Sequence, residues 1–213
     1  MVEEGFNIMI LTEVTRDLDE VIDLLIGRKQ IVAIFQGESE WGPRALGNRS
    51  IMFDPRHWDA KAIVNEVKQR EDYRPFAGTV MAEHADEYFH MEQLPDSPWM
   101  SFAIQARKKA YKDIPTLVHA DGTCRIQTVT REQNKNYYDL IERFYKVTDV
   151  PIIFNTSFNL GGDSLVETIY DAIDTCNRSE INYLYVPEDQ DINIPYSMIL
   201  PKEFGDDQEE DNG

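Results

Sequence analysis

The stretch Gly37 to Arg56, GESEWGPRALGNRSIMFDPR, sets Arg44, Arg49 and Arg56 among glycines and prolines directly behind the apolar run IVAIF. Guanidinium forks match phosphate and carboxylate oxygens two at a time, and glycine-rich turns let backbone N–H groups approach an oxyanion closely. These residue types behind a strand suit a small anion such as a nucleotide. The same arginines would equally serve surface carboxylates, and the stretch alone does not choose between the two. Its charge is nonetheless unusual for the chain. From Glu40 to Phe76 seven basic residues (Arg44, Arg49, Arg56, Lys61, Lys68, Arg70, Arg74) face six acidic ones, whereas the chain as a whole carries −18.

That overall charge repels phosphate backbones and anionic lipid at long range, which argues against a general nucleic-acid or membrane role. Any anion must be held locally. The 213 residues, 42% of them hydrophobic, suit one compact domain or a domain with a small appendage. No apolar run approaches the roughly 20 residues that cross a bilayer, and the start MVEEGFN lacks the basic and apolar regions of a signal peptide, so a cytoplasmic protein is expected. Cys124 and Cys176 stand alone and read as reduced packing thiols. None of His57, His84, His90 and His119 shows HxxxH spacing, and no metal site is expected.

The elements that must position the basic residues alternate along the chain. LTEVTRDLDEVIDLLIGRK spaces Val14, Leu18, Val21, Ile22 and Leu25 as a helix ending at Gly27. IVAIFQ and PIIFNTSF read as buried strands, and SFAIQA, CRIQTV and INYLYV as further strands. HWDAKAIVNEVKQR, NKNYYDLIERFYKVT, with Tyr138, Ile141, Phe144 and Tyr145 near one face, and TIYDAIDTC, capped by Thr168, read as helices. An α/β or α+β domain without internal repeats follows, with an N-terminal helix packed on it over residues 1–30, the domain itself over 31–200 and a disordered acidic tail over 201–213.

GPRALGNRSIMFDPR, VKQREDYRPFA, SPWM, HADGTCRIQTV and IIFNTSFNLGGDSLVET, in this order, resemble the C-terminal domain of the O-carbamoyltransferases, which include nodulation, cephalosporin and tobramycin carbamoylating enzymes. The resemblance runs from about Gly27 to Val186. It implies a YrdC-like fold, an open twisted sheet flanked by helices, that forms carbamoyladenylate from carbamoyl phosphate and ATP, with Mg²⁺. Arg44, Lys68 and Arg74 would be catalytic. Arg49, Arg70, His119, Arg125, Asn155, Ser157 and Asn159 would bind substrate or nucleotide, the last three as a serine-asparagine loop. Two positions depart from the pattern: Asp163 followed by Ser164 where glutamate and proline are usual, and Gly78 in place of a proline.

In that family a separate N-terminal domain holds iron and passes the carbamoyl group to an acceptor hydroxyl. Only about thirty residues precede IVAIFQ here, and Met1 and the acidic end read as the ends of a natural chain. The expectation is therefore the activating subunit of a split enzyme whose acceptor domain is a separate protein. A fragment of a longer chain, a non-catalytic nucleotide-binding or regulatory module, and an RNA-binding YrdC-like protein remain open as alternatives.

Overall fold

The computed structural model describes residues 12–92 and 94–194, so the acidic tail and the first eleven residues lie outside the described residues. In chain order the elements are β1 (Glu13–Thr15), α1 (Leu18–Ile22), β2 (Val32–Phe35), β3 (Arg49–Phe53), α2 (Ala60–Val67), β4 (Ala77–Met81), α3 (Ala85–Tyr88), β5 (Ala103–Gln105), α4 (Lys108–Asp113), β6 (Thr123–Val129), α5 (Lys135–Thr148), β7 (Ile152–Ser157), α6 (Ile169–Asn177) and β8 (Tyr183–Tyr185). The strands form one mixed sheet in the order β1-β8-β2-β3-β7-β4-β6-β5. β4 runs parallel to β6, while β7, between β3 and β4, is antiparallel to both. Among the described residues no helix is long and apolar enough to cross a membrane.

The N-terminal segment corrects the single helix that apolar spacing suggests. Val14 lies in a strand that pairs with β8, because the Asp17 side chain accepts from Asp19 N and Glu20 N and so caps a helix that begins at Leu18. That helix continues as a π turn through Asp23–Gly27. The strong helix signal holds at α5, where the buried face Tyr137, Leu140, Ile141 and Phe144, an i, i+3, i+4, i+7 set, keeps Ile141 and Phe144 of the expected face, while Tyr138 and Tyr145 are only partly buried. It packs on β4 and β7, and each such side chain contributes roughly 1.5–3 kcal/mol on burial. At α6 the expected Thr168 cap is present as a capping box with Asp171.

β4 explains the unusual Gly78. A Cβ there would stand 2.6 Å from Leu117 Cδ1 and 3.2 Å from Ile152 Cγ2, so the strand passes too closely beneath the 115–117 turn to carry a side chain. Asp163 likewise has a local partner, since its carboxylate meets Arg178 Nη2 at 2.9 Å and its carbonyl accepts from Asn159 Nδ2 at 2.7 Å.

Arg56 serves the scaffold. Its guanidinium donates to both oxygens of the fully buried Asp54, at 2.9, 3.1 and 2.6 Å, and lies 5.5 Å from the Phe144 ring centroid. Removing it strands a buried carboxylate beside His57, whose Nε2 is 3.8 Å away. Arg56→Ala is therefore expected to lower stability by about 3 kcal/mol, read by urea unfolding, while leaving anion affinity unchanged. A stability within the error of the unchanged chain would contradict that role.

Candidate functional site

The end of the sheet where β7 finishes and β4 and β6 begin gathers most of the expected site residues. Ala77 of β4 sits opposite Asn155 on one side and Arg125 on the other, so these two side chains share a face two strand spacings, about 10 Å, apart with only a methyl group between them. The loop between β2 and β3 closes over this gap. It is built around Glu40, whose Oε1 accepts from Leu46 N, Asn48 N and Arg49 N at 2.6, 2.8 and 3.4 Å. Gly47, at φ 109°, presses on Tyr137, and a Cβ there would stand 2.3 Å from the ring. Arg44 and Ala45 are thereby fixed above the end of β7, with Ala45 O accepting from Asn155 Nδ2 at 3.2 Å.

The third wall comes from the end of α2. Gln69 takes a left-handed conformation, φ 53°, that stops the helix and turns the chain toward the sheet. Arg70 then stacks 4.1 Å from the Phe76 ring centroid and donates from Nε to Asn65 Oδ1 at 2.6 Å. The backbone of Lys68 and Gln69 lies against Gly161, where a Cβ would be 2.7 Å from Gln69 O, and Gly161 N donates to Lys68 O at 2.7 Å. Met100, left-handed at φ 53°, closes the remaining side. The sequence singles it out only as the last residue of the SPWM motif.

These walls enclose a cavity of about 190 Å³ lined by Arg44, Arg70, Arg74 and Arg125, together with Asn155, Ser157 and Met100. Among the described residues its lining contains no carboxylate. Burial, then the nearby Arg74 and Arg125, pull the Arg70 guanidinium down to about 10. Arg125 is lowered by burial and then by Arg44. Arg125 Nε and Arg70 Nη2 are buried without a partner among the described residues. Like charges held together with unused donors favour an anion strongly. Beside the cavity a groove of about 500 Å³ shares Arg70 and Arg74 and extends to Gly161 and Gly162.

Four of the expected residues stand outside the cavity lining, and a fifth reaches it only at the rim. Arg49 is almost wholly buried and donates to the carbonyls of Gln36, Asn48, Gly37 and Glu167 at 2.7–3.2 Å while lying 3.6 Å over the Phe35 ring, so it clamps the loop rather than lining the cavity. His119 is tied to Phe76 O at 3.1 Å and Thr123 Oγ1 at 3.3 Å and braces the entry to β4. Lys68 lies one layer behind the cavity, its ammonium saturated by Ser157 O, Ser157 Oγ and Asn159 Oδ1 at 2.5, 3.2 and 2.9 Å. Asn159 belongs to that layer. Arg74 is on the rim, half exposed, and pairs with Glu71 at 2.7 Å.

An open mixed sheet flanked by helices, with an arginine-lined cavity at one end, is a fold with solved counterparts. The fold is YrdC-like: full-length HypF in its phosphate- and nucleotide-bound form superposes with a TM-score of 0.52 at 16% identity, covering 78% of this chain and 20% of that one. Sua5 from P. abyssi complexed with L-threonine gives 0.53 at 10% identity over 83% of this chain and 49% of that one. Residues 24–190 match the Carbamoyltransferase C-terminus family, and the chain belongs to it. It is 43% identical over 161 residues to nodulation protein NolO of Bradyrhizobium diazoefficiens, covering 73% of this chain and 29% of the relative. It is 34% identical over 168 residues to the 3'-hydroxymethylcephem-O-carbamoyltransferase of Amycolatopsis lactamdurans, covering 79% and 31%. The chain thus spans under a third of the length of these relatives.

Burial and then the neighbouring Arg70 hold Lys68 near 7 instead of its ordinary 10.5. Between these values the unfolded chain binds more protons than the folded one, so stability must rise with pH across that window. The stability difference between the unchanged chain and Lys68→Met is expected to move in favour of the unchanged chain from pH 7 to pH 10, by up to about 1.4 kcal/mol per pH unit. Denaturant unfolding at several pH values measures it. A difference that is flat or falls with pH would contradict a buried lysine of depressed pKa.

Proposed function

We propose that this chain forms carbamoyladenylate from carbamoyl phosphate and ATP, as the activating part of an O-carbamoyltransferase. The observation that carries the reading is the convergence of Arg44, Arg70, Arg74 and Arg125 on one small cavity without a carboxylate. In the reaction, water takes the phosphoryl group of carbamoyl phosphate and releases carbamate and phosphate. A carbamate oxygen then attacks the α-phosphorus of ATP, and pyrophosphate leaves. Each stage concentrates negative charge that must be neutralised away from bulk water, which fixed guanidinium groups do without reorganising. Arg44, on the loop, Arg70, just after α2, and Arg125, on β6, would surround the transferring phosphate. Ser157, whose hydroxyl accepts from Lys68 and donates to Asn159 Oδ1 at 2.7 Å, would turn that donor toward the phosphate on binding, and the adjoining groove would take the rest of the nucleotide. Mg²⁺ would accompany ATP, carried mainly by phosphate oxygens and water, as this ion commonly is.

The acceptor hydroxyl would be served by a separate protein that bears the iron-binding domain. Trp41, Tyr73, Trp99 and Phe102 support a docking partner there: all are exposed, Trp41 almost completely, and each neighbours a residue or loop that forms the cavity. Exposed aromatic side chains grouped around a charged opening are the usual anchors of a protein interface. We place the reaction in the cytoplasm, in keeping with the buried, unpaired Cys124 and Cys176.

The purified chain, alone or with that partner, is expected to exchange labelled pyrophosphate into ATP only when carbamoyl phosphate and Mg²⁺ are present. Arg44→Ala and Arg44→Lys should each lower this exchange by about 30- to 1000-fold, equivalent to roughly 2–4 kcal/mol, because a lysine does not reproduce a two-pronged contact. Their melting temperatures should stay within a few degrees of the unchanged chain. Nucleotide binding without carbamoyl-dependent exchange would instead mark a binding module, and near-normal exchange by Arg44→Ala would remove Arg44 from the chemistry.

A further inference from the structure

Between Ser97 and Ala103 the chain leaves the sheet and returns to it. Ser97 N donates to Thr128 Oγ1 at 2.8 Å, Thr128 N donates to Ser97 O at 3.0 Å, and Ser97 Oγ donates to Ile126 O at 3.0 Å. Ala103 then sits opposite Arg125 in β6. Five residues, 98–102, therefore arch over the two of β6, Ile126 and Gln127, that lie between the backbone anchors. Met100 stands at the middle of the arch. Its neighbours face solvent, Trp99 at 67% exposure and Phe102 at 49%, while Met100 itself is 4% exposed and lines the cavity beside Arg44 and Arg125.

The arch gives Met100 a left-handed backbone, φ 53°, which a glycine adopts freely and a residue with a Cβ does not. Glycine would trace the same turn with less strain, so a methionine here points to a task for the side chain. That task is not to hold the anion, because a thioether has no N–H or O–H to donate and its sulfur is only a weak acceptor. What the side chain adds is bulk. Among the described residues of the cavity lining it is the one long apolar side chain, with Pro43 and Ala45 as short apolar companions. An unbranched, adaptable hydrocarbon chain thus fills the side on which the arch stands between the arginines and solvent.

The proposed reaction has one stage at which such a wall matters. Once water has taken the phosphoryl group, carbamate must reach the α-phosphorus of ATP. If it meets bulk water first, its nitrogen takes up a proton, the C–N bond breaks with its electron pair passing to nitrogen, and ammonia and carbon dioxide leave. Phosphate has then been released without pyrophosphate. We infer that Met100 is a specificity-determining residue of this reaction, its side chain holding bulk water away from carbamate and so tying the consumption of carbamoyl phosphate to that of ATP. This rests on the carbamoyl reading above and concerns the yield of the reaction, where the arginines concern its rate.

The test is stoichiometric. With the whole chain, and with the partner where the exchange above requires it, phosphate released from labelled carbamoyl phosphate is measured against pyrophosphate released from ATP. The unchanged chain is expected to give a ratio near one. Met100→Gly, which removes the side chain and keeps the turn, should raise the ratio by about three- to tenfold. A partly unfolded population lowers both products together and leaves the ratio where it was, so a merely structural role would not move it. Met100→Leu keeps the apolar bulk and should stay near one. Met100→Gln keeps the length but brings an amide that binds water, and should uncouple as Met100→Gly does; it decides the matter should the glycine variant fail to fold. A ratio near one in Met100→Gly or Met100→Gln, or an equal rise in Met100→Leu, would overturn the inference and leave the carbamoyl chemistry standing. Absence of carbamoyl-dependent pyrophosphate from the unchanged chain, with the partner as well as without it, would overturn the carbamoyl reading itself, and the inference with it.

Discussion

Four guanidinium groups repel one another, and no carboxylate among the described residues of the cavity they line cancels that repulsion. The rest of the architecture can be understood as what it takes to hold them there. Glu40 lies close enough to balance Arg49, yet its Oε1 is spent on three backbone N–H groups, so it rigidifies the loop without quenching the arginines inside the cavity. Glu71 reaches Arg74 at the rim alone. Arg70 is kept in place by Asn65 and by the face of Phe76, both neutral partners. A guanidinium can be stacked and hydrogen-bonded without losing its charge, which is why arginine fills this cavity and the single lysine stands behind it.

Two left-handed residues without glycine's freedom, Gln69 and Met100, flank the same cavity. Such backbone costs of order 1 kcal/mol or more each and persists where the surroundings over-determine it. Here the surroundings are visible: Gly161 packs against the carbonyl of Gln69, and Met100 is almost fully buried. The glycines of the NLGGD loop therefore matter as much to the position of Arg70 as the helix that precedes it.

Much of this was legible in the sequence, and its gaps have physical causes. The helices with clear apolar periodicity and the apolar strands β2 and β7 could be read directly. β3 and β4 could not. Arg49 and Ser50 open β3 with buried polar side chains and read as a continuation of the glycine-rich loop. β4, AGTVM, is a central strand made of small residues, because Leu117 leaves no room at Gly78. Short range propensity argues against both strands, and only pairing across the chain explains them. Residue type pointed to the arginines of the site, but it could not tell the lining Arg125 from the clamping Arg49. That distinction depends on which carbonyls lie within reach: those of Gln36, Gly37 and Asn48 come from the surrounding loop, and that of Glu167 from more than a hundred residues away.

The central position of β7 has a consequence for how the molecule comes into being. It pairs with β3, about a hundred residues earlier, and with β4, so neither side of the arginine cavity can form until most of the chain is available. Pairings of such sequence separation are slow, since the entropy of closing the intervening loop is lost before any contact compensates it. Arg44 and Arg125, about eighty residues apart, are thus brought together only through pairings of long sequence separation. On the anion-binding reading proposed above, the ligand would favour the assembly of the sheet as well as the finished protein.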